Sequence, residues 1–158
     1  STTVLPCSNG RAVAFGSNRS GQCDISVLWV GVKYAQVSAG GSVTVLPCSN
    51  GRAVAGGSNR SAQCDISVFS VGVMYVQVSA SGSLAVLLCS VARAMACGSN
   101  RRVQCDIPEL SVGVKYVQVC AGASISVLLC SDGHAVACGS NRSGQCDIPK
   151  LSVGVKYV

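Results

Sequence analysis

Runs of apolar, mostly β-branched residues alternate with short turns of small polar residues along the whole chain. In the last complete unit the runs are Val114–Cys120, Ile125–Cys130 and His134–Cys138. Such runs favour strands, so the pattern predicts three consecutive antiparallel strands in each unit. The second run is apolar at successive positions, as in Val86–Cys89, which indicates a strand buried on both faces between two other sheets.

Dipeptides typical of hairpins separate the second and third runs in three of the four units, as Asn9-Gly10, Asn50-Gly51 and Asp132-Gly133. They predict a two-residue turn with positive φ angles at both residues. The third unit has Val91-Ala92 at this place. Because a β-branched residue disfavours positive φ, we expect a distorted or longer turn there.

The segment Gly139–Ile148 recurs at a fixed interval of 41 residues, as Gly16–Ile25, Gly57–Ile66 and Gly98–Ile107. A constant period of this length predicts one copied supersecondary unit, with units of about 1–34, 35–75, 76–116 and 117–158 in a single repeat domain, residues 1–158. We expect the Gln-Cys-Asp-Ile end of the segment to form a fourth, outermost strand. The predicted fold is all-β, a β-propeller of four-stranded antiparallel blades.

The number of blades stays open at this point. The chain has 158 residues, six short of four full units, and it begins inside the second run and stops inside the first. These pieces complement each other, which favours a four-bladed closed ring. A section of a larger propeller would instead leave an open arc with exposed edges.

The unit resembles the regulator-of-chromosome-condensation (RCC1-like) repeat in its compact form. The resemblance rests on the order Asp132-Gly133, Val136, Gly139, Asn141, Gly144-Gln145 and Pro149, followed by Val-x-Val-x-Ala-Gly, and it covers all four units. It implies blades of four antiparallel strands and, for most members, protein-binding roles. As an alternative function it implies a guanine-nucleotide exchange or chromatin-associated regulator.

Charge and hydropathy indicate a binding protein. The formal net charge is +6 and the basic residues are spread over the repeats without a cluster, so an acidic protein surface is a plausible partner and no specific nucleic-acid site is evident. The mean hydropathy of +0.46 indicates that a partner covers part of the surface, in a larger complex or a homo-oligomer. The uncharged stretch Ile66–Ala92 has strand-type periodicity, so we interpret it as a strand pair and not as transmembrane.

The recurring segment carries the candidate interaction residues, which we expect to form an arginine rim able to bind carboxylate or phosphate groups. The rim residues are Arg19, Arg60, Arg101, Arg102 and Arg142. The aspartates five residues later offer the alternative of a structural loop network: Asp24, Asp65, Asp106 and Asp147. Glycine and asparagine are expected to shape the turns: Gly16, Asn18, Gly57, Asn59, Gly98, Asn100, Gly139 and Asn141.

The cysteines and the single histidine do not indicate catalytic or metal-binding chemistry. Eleven cysteines recur with the repeat, without the Cys-x-x-Cys spacing of a zinc site, and equivalent ones on neighbouring sheets are too far apart for disulfides. We expect buried thiols in an intracellular reducing compartment (cytosol, nucleus or organelle interior), so the chain is not secreted. His134 follows a turn without a nucleophile or carboxylate that would make it a catalytic base. The expected function is a non-enzymatic scaffold for protein–protein interaction, without catalytic residues, metal or cofactor.

Overall fold

The computed structural model describes residues 2–26, 28, 30–67 and 72–158, which form eleven strands joined by turns. The strands are β1 (Thr2–Pro6), β2 (Ala12–Gly16), β3 (Ser38–Ala39), β4 (Val43–Pro47), β5 (Ala53–Gly57), β6 (Tyr75–Ala80), β7 (Leu84–Cys89), β8 (Ala94–Gly98), β9 (Tyr116–Ala121), β10 (Ile125–Cys130) and β11 (Ala135–Gly139). Within these ranges no helix has the length and apolarity needed to cross a membrane. The stretch Ile66–Ala92 contains β6 and β7, and its residues 68–71 lie outside the described part.

The strands form four antiparallel sheets, one for each repeat unit, and the predicted all-β propeller architecture is confirmed. Sheet 1 pairs β1 with β2, sheet 2 has the order β3-β4-β5, sheet 3 has β6-β7-β8 and sheet 4 has β9-β10-β11. The second run is therefore the central strand of each three-stranded sheet. The described part of sheet 1 contains only the second and third runs.

The hairpin turns are one residue longer than predicted. In sheet 1 the N–H of Cys7 donates to the Arg11 carbonyl, and the N–H of Gly10 donates back to Cys7. Only Gly10, at φ 82°, has a positive φ, so the loop is a three-residue turn ending in a left-handed glycine. Asn9 contributes through its side chain, which accepts a hydrogen bond from the Arg11 N–H at 3.0 Å.

The prediction of a distorted or longer turn at Val91-Ala92 was wrong. Cys89 and Ala92 make the same two backbone hydrogen bonds as their counterparts in sheet 1, at 2.9 and 2.8 Å. Ala92 takes the glycine position with φ 59°, a conformation that costs a residue with a Cβ atom about 1 kcal/mol. The turn keeps its length because only its last residue needs the left-handed conformation, and that residue is alanine, not valine.

The fourth strand expected in each blade is not formed. The Gln-Cys-Asp-Ile segments form turns closed by short-range bonds, such as the Asp65 N–H to the Ala62 carbonyl at 3.2 Å. A strand needs its N–H and C=O groups directed at a neighbouring strand, whereas these groups are satisfied within the turn itself. The described blades therefore have two or three strands.

Each sheet has a forward face, directed at the next sheet, and a rear face, directed at the preceding one. In sheet 2, Val43 and Val45 on the forward face pack against Ala85 and Leu87 on the rear face of sheet 3. All residues of β4 and β7 are buried, as expected for strands between two neighbours. The core is thus divided into three apolar layers, one at each junction between successive sheets.

Side chains of the first run tie the innermost strands together across each junction. The Gln77 amide accepts a hydrogen bond from the Val119 N–H at 2.9 Å and donates to the Val119 carbonyl at 3.3 Å. Gln36 accepts likewise from the Val78 N–H at 2.8 Å. A glutamine side chain therefore takes the place of a neighbouring strand's backbone, which satisfies an N–H group that would otherwise be buried unpaired.

The two end sheets each have one uncovered face. In β10, Ser126, Leu128 and Cys130 on the rear face are buried, while the forward-face residues are half-buried. In β1 the pattern is reversed, and Leu5 on the rear face is 53% exposed. We call the described series of sheets the arc; the number of blades and the closure of the ring stay predictions.

Candidate functional site

An asparagine side chain organises the turn that carries each candidate arginine. In the second unit the Asn59 carbonyl oxygen accepts from the Cys64 N–H at 2.8 Å, and its amide donates to Asp65 Oδ1 at 2.7 Å. The same two bonds recur at Asn18, Asn100 and Asn141. Gly57 precedes the turn at φ 117°, where a Cβ atom would overlap the Ser42 carbonyl oxygen.

The five rim arginines are exposed in these turns, which follow the third strand of each sheet, and we call this set of turns the arginine edge. Their neighbouring aspartates bond to asparagine instead, and no described residue forms an ion pair with any of the five. The structural loop network that was the alternative to an arginine rim is present, but asparagine and aspartate side chains form it, without the arginines. The arginines remain available to a partner, with four carboxylates close to them.

In the first three units a buried glutamine supports the turn from behind, and the sequence interpretation did not single it out. Gln63 is 2% exposed, accepts from the Ser61 N–H at 2.9 Å and donates to the Gly82 carbonyl of the next unit at 3.4 Å. Its position three residues after each arginine, constant in all units, was the available signal. The glutamine joins the arginine turn of one blade to the following blade.

The opposite edge of the arc, formed by the hairpin turns and the start of each first run, carries more net charge. We call it the hairpin edge, and all its basic side chains are exposed. They are Arg11, Lys33, Arg52, Arg93, Lys115 and Lys156, six of the chain's twelve lysines and arginines. Residues distant in sequence, such as Arg11 and Lys33, come together on this edge because successive sheets stand side by side, and their even spread along the sequence did not show this.

Backbone contacts bring the lysine at the start of a first run against the hairpin of the preceding sheet. The Tyr34 N–H donates to the Gly10 carbonyl at 2.9 Å, which places Lys33 directly against the hairpin of sheet 1. A Cβ atom at Gly10 would overlap the Lys33 side chain. Gly133 has the same relation to Lys156. Glycine at this position is therefore needed for the lysine stem as well as for the turn.

Asp132 is one of two described acidic residues on the hairpin edge; the other, Glu109, lines the groove beside sheet 3. The His134 N–H donates to Asp132 Oδ1 at 3.0 Å, and His134 Nδ1 lies 3.1 Å from Asp132 Oδ2. The backbone bond, with the imidazole beside it, holds the pKa of the Asp132 carboxyl below its usual range. Asp132 therefore stays ionised through the neutral range and reduces the positive charge only at sheet 4.

Shallow grooves open between the hairpin turns and the loops that follow the arginine turns. The groove beside sheet 2 has a volume of about 430 Å³ and is lined by Leu28, Val32 and Val54, with Asn50 and Arg52 at its border. Related grooves lie beside the hairpins of sheets 1, 3 and 4. An apolar floor with a basic border suits a side chain or peptide better than a bare anion.

The cysteines are all free thiols, and burial makes several of them unreactive. Desolvation, with smaller contributions from Cys105, Cys64 and Asp65, raises the pKa of Cys97 to about 12. In the described ranges, no three or more His, Cys, Asp or Glu side chains are grouped so as to hold a metal ion. Most of these thiols act as small packing groups at the sheet junctions.

Comparison with known proteins agrees with this architecture. Residues 116–145 match the regulator of chromosome condensation (RCC1) repeat. A sequence search of curated proteins gives no match.

Among solved structures, human WBSCR16 is 16% identical with a TM-score of 0.73, over 87% of this chain and 44% of that one. Prp20p of Saccharomyces cerevisiae is 17% identical with a TM-score of 0.73, over 87% and 43%. The ectodomain of the Arabidopsis thaliana receptor kinase ACR4 is 16% identical with a TM-score of 0.67, over 90% and 50%. The chain thus spans half or less of each relative, and the likeness concerns the fold. One repeat of the chain therefore matches the RCC1 repeat, and the chain as a whole shares the β-propeller fold of these structures.

Proposed function

We propose that the chain is a non-enzymatic scaffold that binds a protein partner with an acidic surface, and that the hairpin edge is the binding surface. The observation that carries the proposal is the alignment of six exposed basic side chains along this edge, against two described acidic residues, Asp132 and Glu109. A single-sign edge attracts an acidic surface over several ångströms and orients it before contact. Yeast Prp20, which has a similar fold, has been solved with the protein Kap60 bound.

The hairpin edge is a better candidate than the arginine edge because of its charge balance. The arginine edge holds five arginines and four aspartates, which lie in the same turns. At physiological ionic strength charges are screened over about 8 Å, so an approaching partner meets nearly balanced charges there. On the hairpin edge six basic side chains face two carboxylates, Glu109 beside sheet 3 and Asp132 at sheet 4.

Protein is favoured over nucleic acid because apolar groups accompany the basic ones. The grooves along the hairpin edge have floors such as Leu28, Val32 and Val54. Met74, which takes the lysine position directly before the first strand of sheet 3, is 45% exposed on this edge. Interfaces between proteins combine apolar anchors with polar rims, whereas nucleic-acid sites concentrate phosphate contacts.

The experiment compares two triple variants of equal charge change. The hairpin-edge set is Arg11→Ala, Arg52→Ala and Arg93→Ala. The matched arginine-edge set is Arg19→Ala, Arg60→Ala and Arg142→Ala. The probe is a fluorescent peptide of alternating glutamate and leucine, with a DNA duplex of equal charge as competitor, and binding is followed by fluorescence anisotropy.

We expect the hairpin-edge set to weaken peptide binding by about tenfold and the arginine-edge set to change it by less than about threefold. Loss in the arginine-edge set alone would transfer the site to the predicted arginine rim. No effect in either set, or stronger binding to DNA than to the peptide, would contradict the proposal. Copurification from the native source with mass spectrometry then identifies the partner.

Guanine-nucleotide exchange or a chromatin-associated role is the second candidate, and only the similarity of fold to Prp20p, described with its binding to Gsp1p and histones, favours it. Measuring the release of labelled GDP from small GTPases tests the exchange role directly.

We also propose that the protein works in a reducing compartment, which its eleven free thiols support. Microscopy of the tagged protein in its source cells tests this location.

A further inference from the structure

One loop lies between the hairpin turns of sheets 1 and 2, and its end is fixed to both of them. We call it the first loop; it consists of residues 26–32, of which 26, 28 and 30–32 are described. Directly after it, the Lys33 N–H donates to the Ser49 hydroxyl of sheet 2 at 3.0 Å. The Tyr34 N–H donates to the Gly10 carbonyl of sheet 1 at 2.9 Å. The two hairpins therefore hold the first loop between them.

Leu28 and Val32 of the first loop form an apolar strip that borders both hairpins. Both side chains are half-buried, and both line the groove beside sheet 1 as well as the groove beside sheet 2. They belong to the apolar layer at the junction of these two sheets, so the strip is an internal feature of the chain. Exposed Arg11 lines the first groove and exposed Arg52 the second. One apolar strip thus lies between two arginines.

The related grooves of the last two units have mixed charge. Glu109 lines the groove beside sheet 3 together with Arg93. Asp132 lines the groove beside sheet 4, where His134 takes the arginine position. Among the described residues that line the two grooves of the first loop, none is acidic. Because like charges repel, a ligand that carries carboxylates is favoured at the first loop over the other grooves.

The spacing of the two arginines determines which segment reaches both. Arg11 and Arg52 occupy equivalent positions on adjacent sheets, and packed sheets lie about 10 Å apart. In an extended peptide every second side chain lies on the same face, and the first and fifth residues are about 13 Å apart. Carboxylates at these two positions are within reach of the flexible arginine side chains, and the third side chain then faces the apolar strip. The matching segment is therefore acidic, apolar and acidic at alternate positions.

We propose that the two grooves of the first loop together bind a linear peptide segment of the form Glu-x-Leu-x-Glu on the acidic partner. This inference rests on the proposed function, because it names the part of the partner that the hairpin edge recognises. The leucine covers Leu28 and Val32, and the carboxylates accept charge-assisted hydrogen bonds from Arg11 and Arg52. Arginine suits this role because its planar guanidinium donates two parallel bonds to one carboxylate.

Fluorescence anisotropy with two labelled peptides of equal composition tests the order of the residues. The first peptide is Ser-Glu-Ser-Leu-Ser-Glu-Ser, and the second is Ser-Leu-Ser-Ser-Glu-Glu-Ser. We expect the first to bind at least about fivefold more tightly, because only the first places the leucine and both carboxylates on one face. Equal binding of the two would overturn the inference but not the proposed function, since attraction by charge alone would remain.

Variants at equivalent repeat positions test the place of binding. Val30 lines the groove beside sheet 1 and is fully exposed, as is its counterpart Val112 in the third unit. Val30→Asp should weaken binding of the first peptide by at least about tenfold, and Arg52→Ala by about five- to tenfold. The matched controls Val112→Asp and Arg93→Ala should each change it by less than about twofold. All four side chains are exposed, so none of these variants removes a buried contact.

The outcomes that contradict this inference differ from those that contradict the proposed function. Equal losses in the variants and their matched controls would overturn the first loop as the site and leave the hairpin edge as the binding surface. Tighter binding of a DNA duplex, or of phosphatidylserine vesicles, than of the first peptide would overturn the linear segment as the ligand. Failure of every acidic peptide to bind, including the alternating glutamate and leucine probe, would overturn both.

Discussion

Removing the Gln77 side chain tests whether glutamines hold neighbouring blades together. In Gln77→Ala, the Val119 N–H loses its acceptor at 2.9 Å and the Val119 carbonyl loses a donor at 3.3 Å. Val119 is 3% exposed, so water replaces these partners poorly. An unpaired buried N–H costs about 2 kcal/mol and the second bond up to about 1 kcal/mol, so we expect a loss of about 2–3 kcal/mol in the free energy of unfolding.

The chain contains its own control at the same repeat position. Gln118 is exposed on the forward face of sheet 4, and its side chain makes no hydrogen bond with a described residue. Gln118→Ala should therefore change the free energy of unfolding by less than about 0.5 kcal/mol. Both variants lose the same atoms from a strand, so propensity effects cancel.

Urea unfolding followed by circular dichroism gives the comparison, at concentrations where the chain is monomeric. A loss of 2–3 kcal/mol corresponds to a fall in Tm of about 4–12 °C for a domain of this size. Hydrogen exchange should rise mainly in β9, because the coupling between sheets 3 and 4 is the one removed. Equal losses in Gln77→Ala and Gln118→Ala would refute the role of the glutamine at the junction.

Three further outcomes follow from the described contacts. Gly98→Ala should prevent stable folding, because a Cβ atom at this residue, which has φ 127°, would overlap a backbone carbonyl oxygen. Gly113→Ala has open space around it and should lower the free energy of unfolding by only about 1–2 kcal/mol. Thermal unfolding distinguishes the two variants. Iodoacetamide at pH 8 should label exposed Cys120 well before Cys97, whose pKa of about 12 leaves few thiolates until far higher pH, and mass spectrometry of the peptides checks the order. Asn59→Ala should cost about 1 kcal/mol in urea unfolding, and an unchanged midpoint would contradict its role in the arginine turn.

The residues by themselves determined the strands and their order. The alternation of apolar runs with small-residue turns located the three runs of each unit, because short-range spacing decides which backbone groups pair with their neighbours. The apolar character of both faces of runs such as Leu84–Cys89 indicated sheets packed on each side, since only such packing removes both faces from water. The constant period then predicted repeated blades.

The tertiary structure alone decided the distribution of charge and the polar contacts between blades. Arg11 and Arg52 lie 41 residues apart, and only parallel placement of successive sheets brings them to one edge with Lys33. The pairing of Asn59 with Asp65, in place of the arginine, depends on side-chain directions within a turn that the spacing did not reveal. The predicted fourth strand does not form because its backbone groups are satisfied by hydrogen bonds within the turn. The residue pattern does not decide between these short-range bonds and the long-range bonds of a strand.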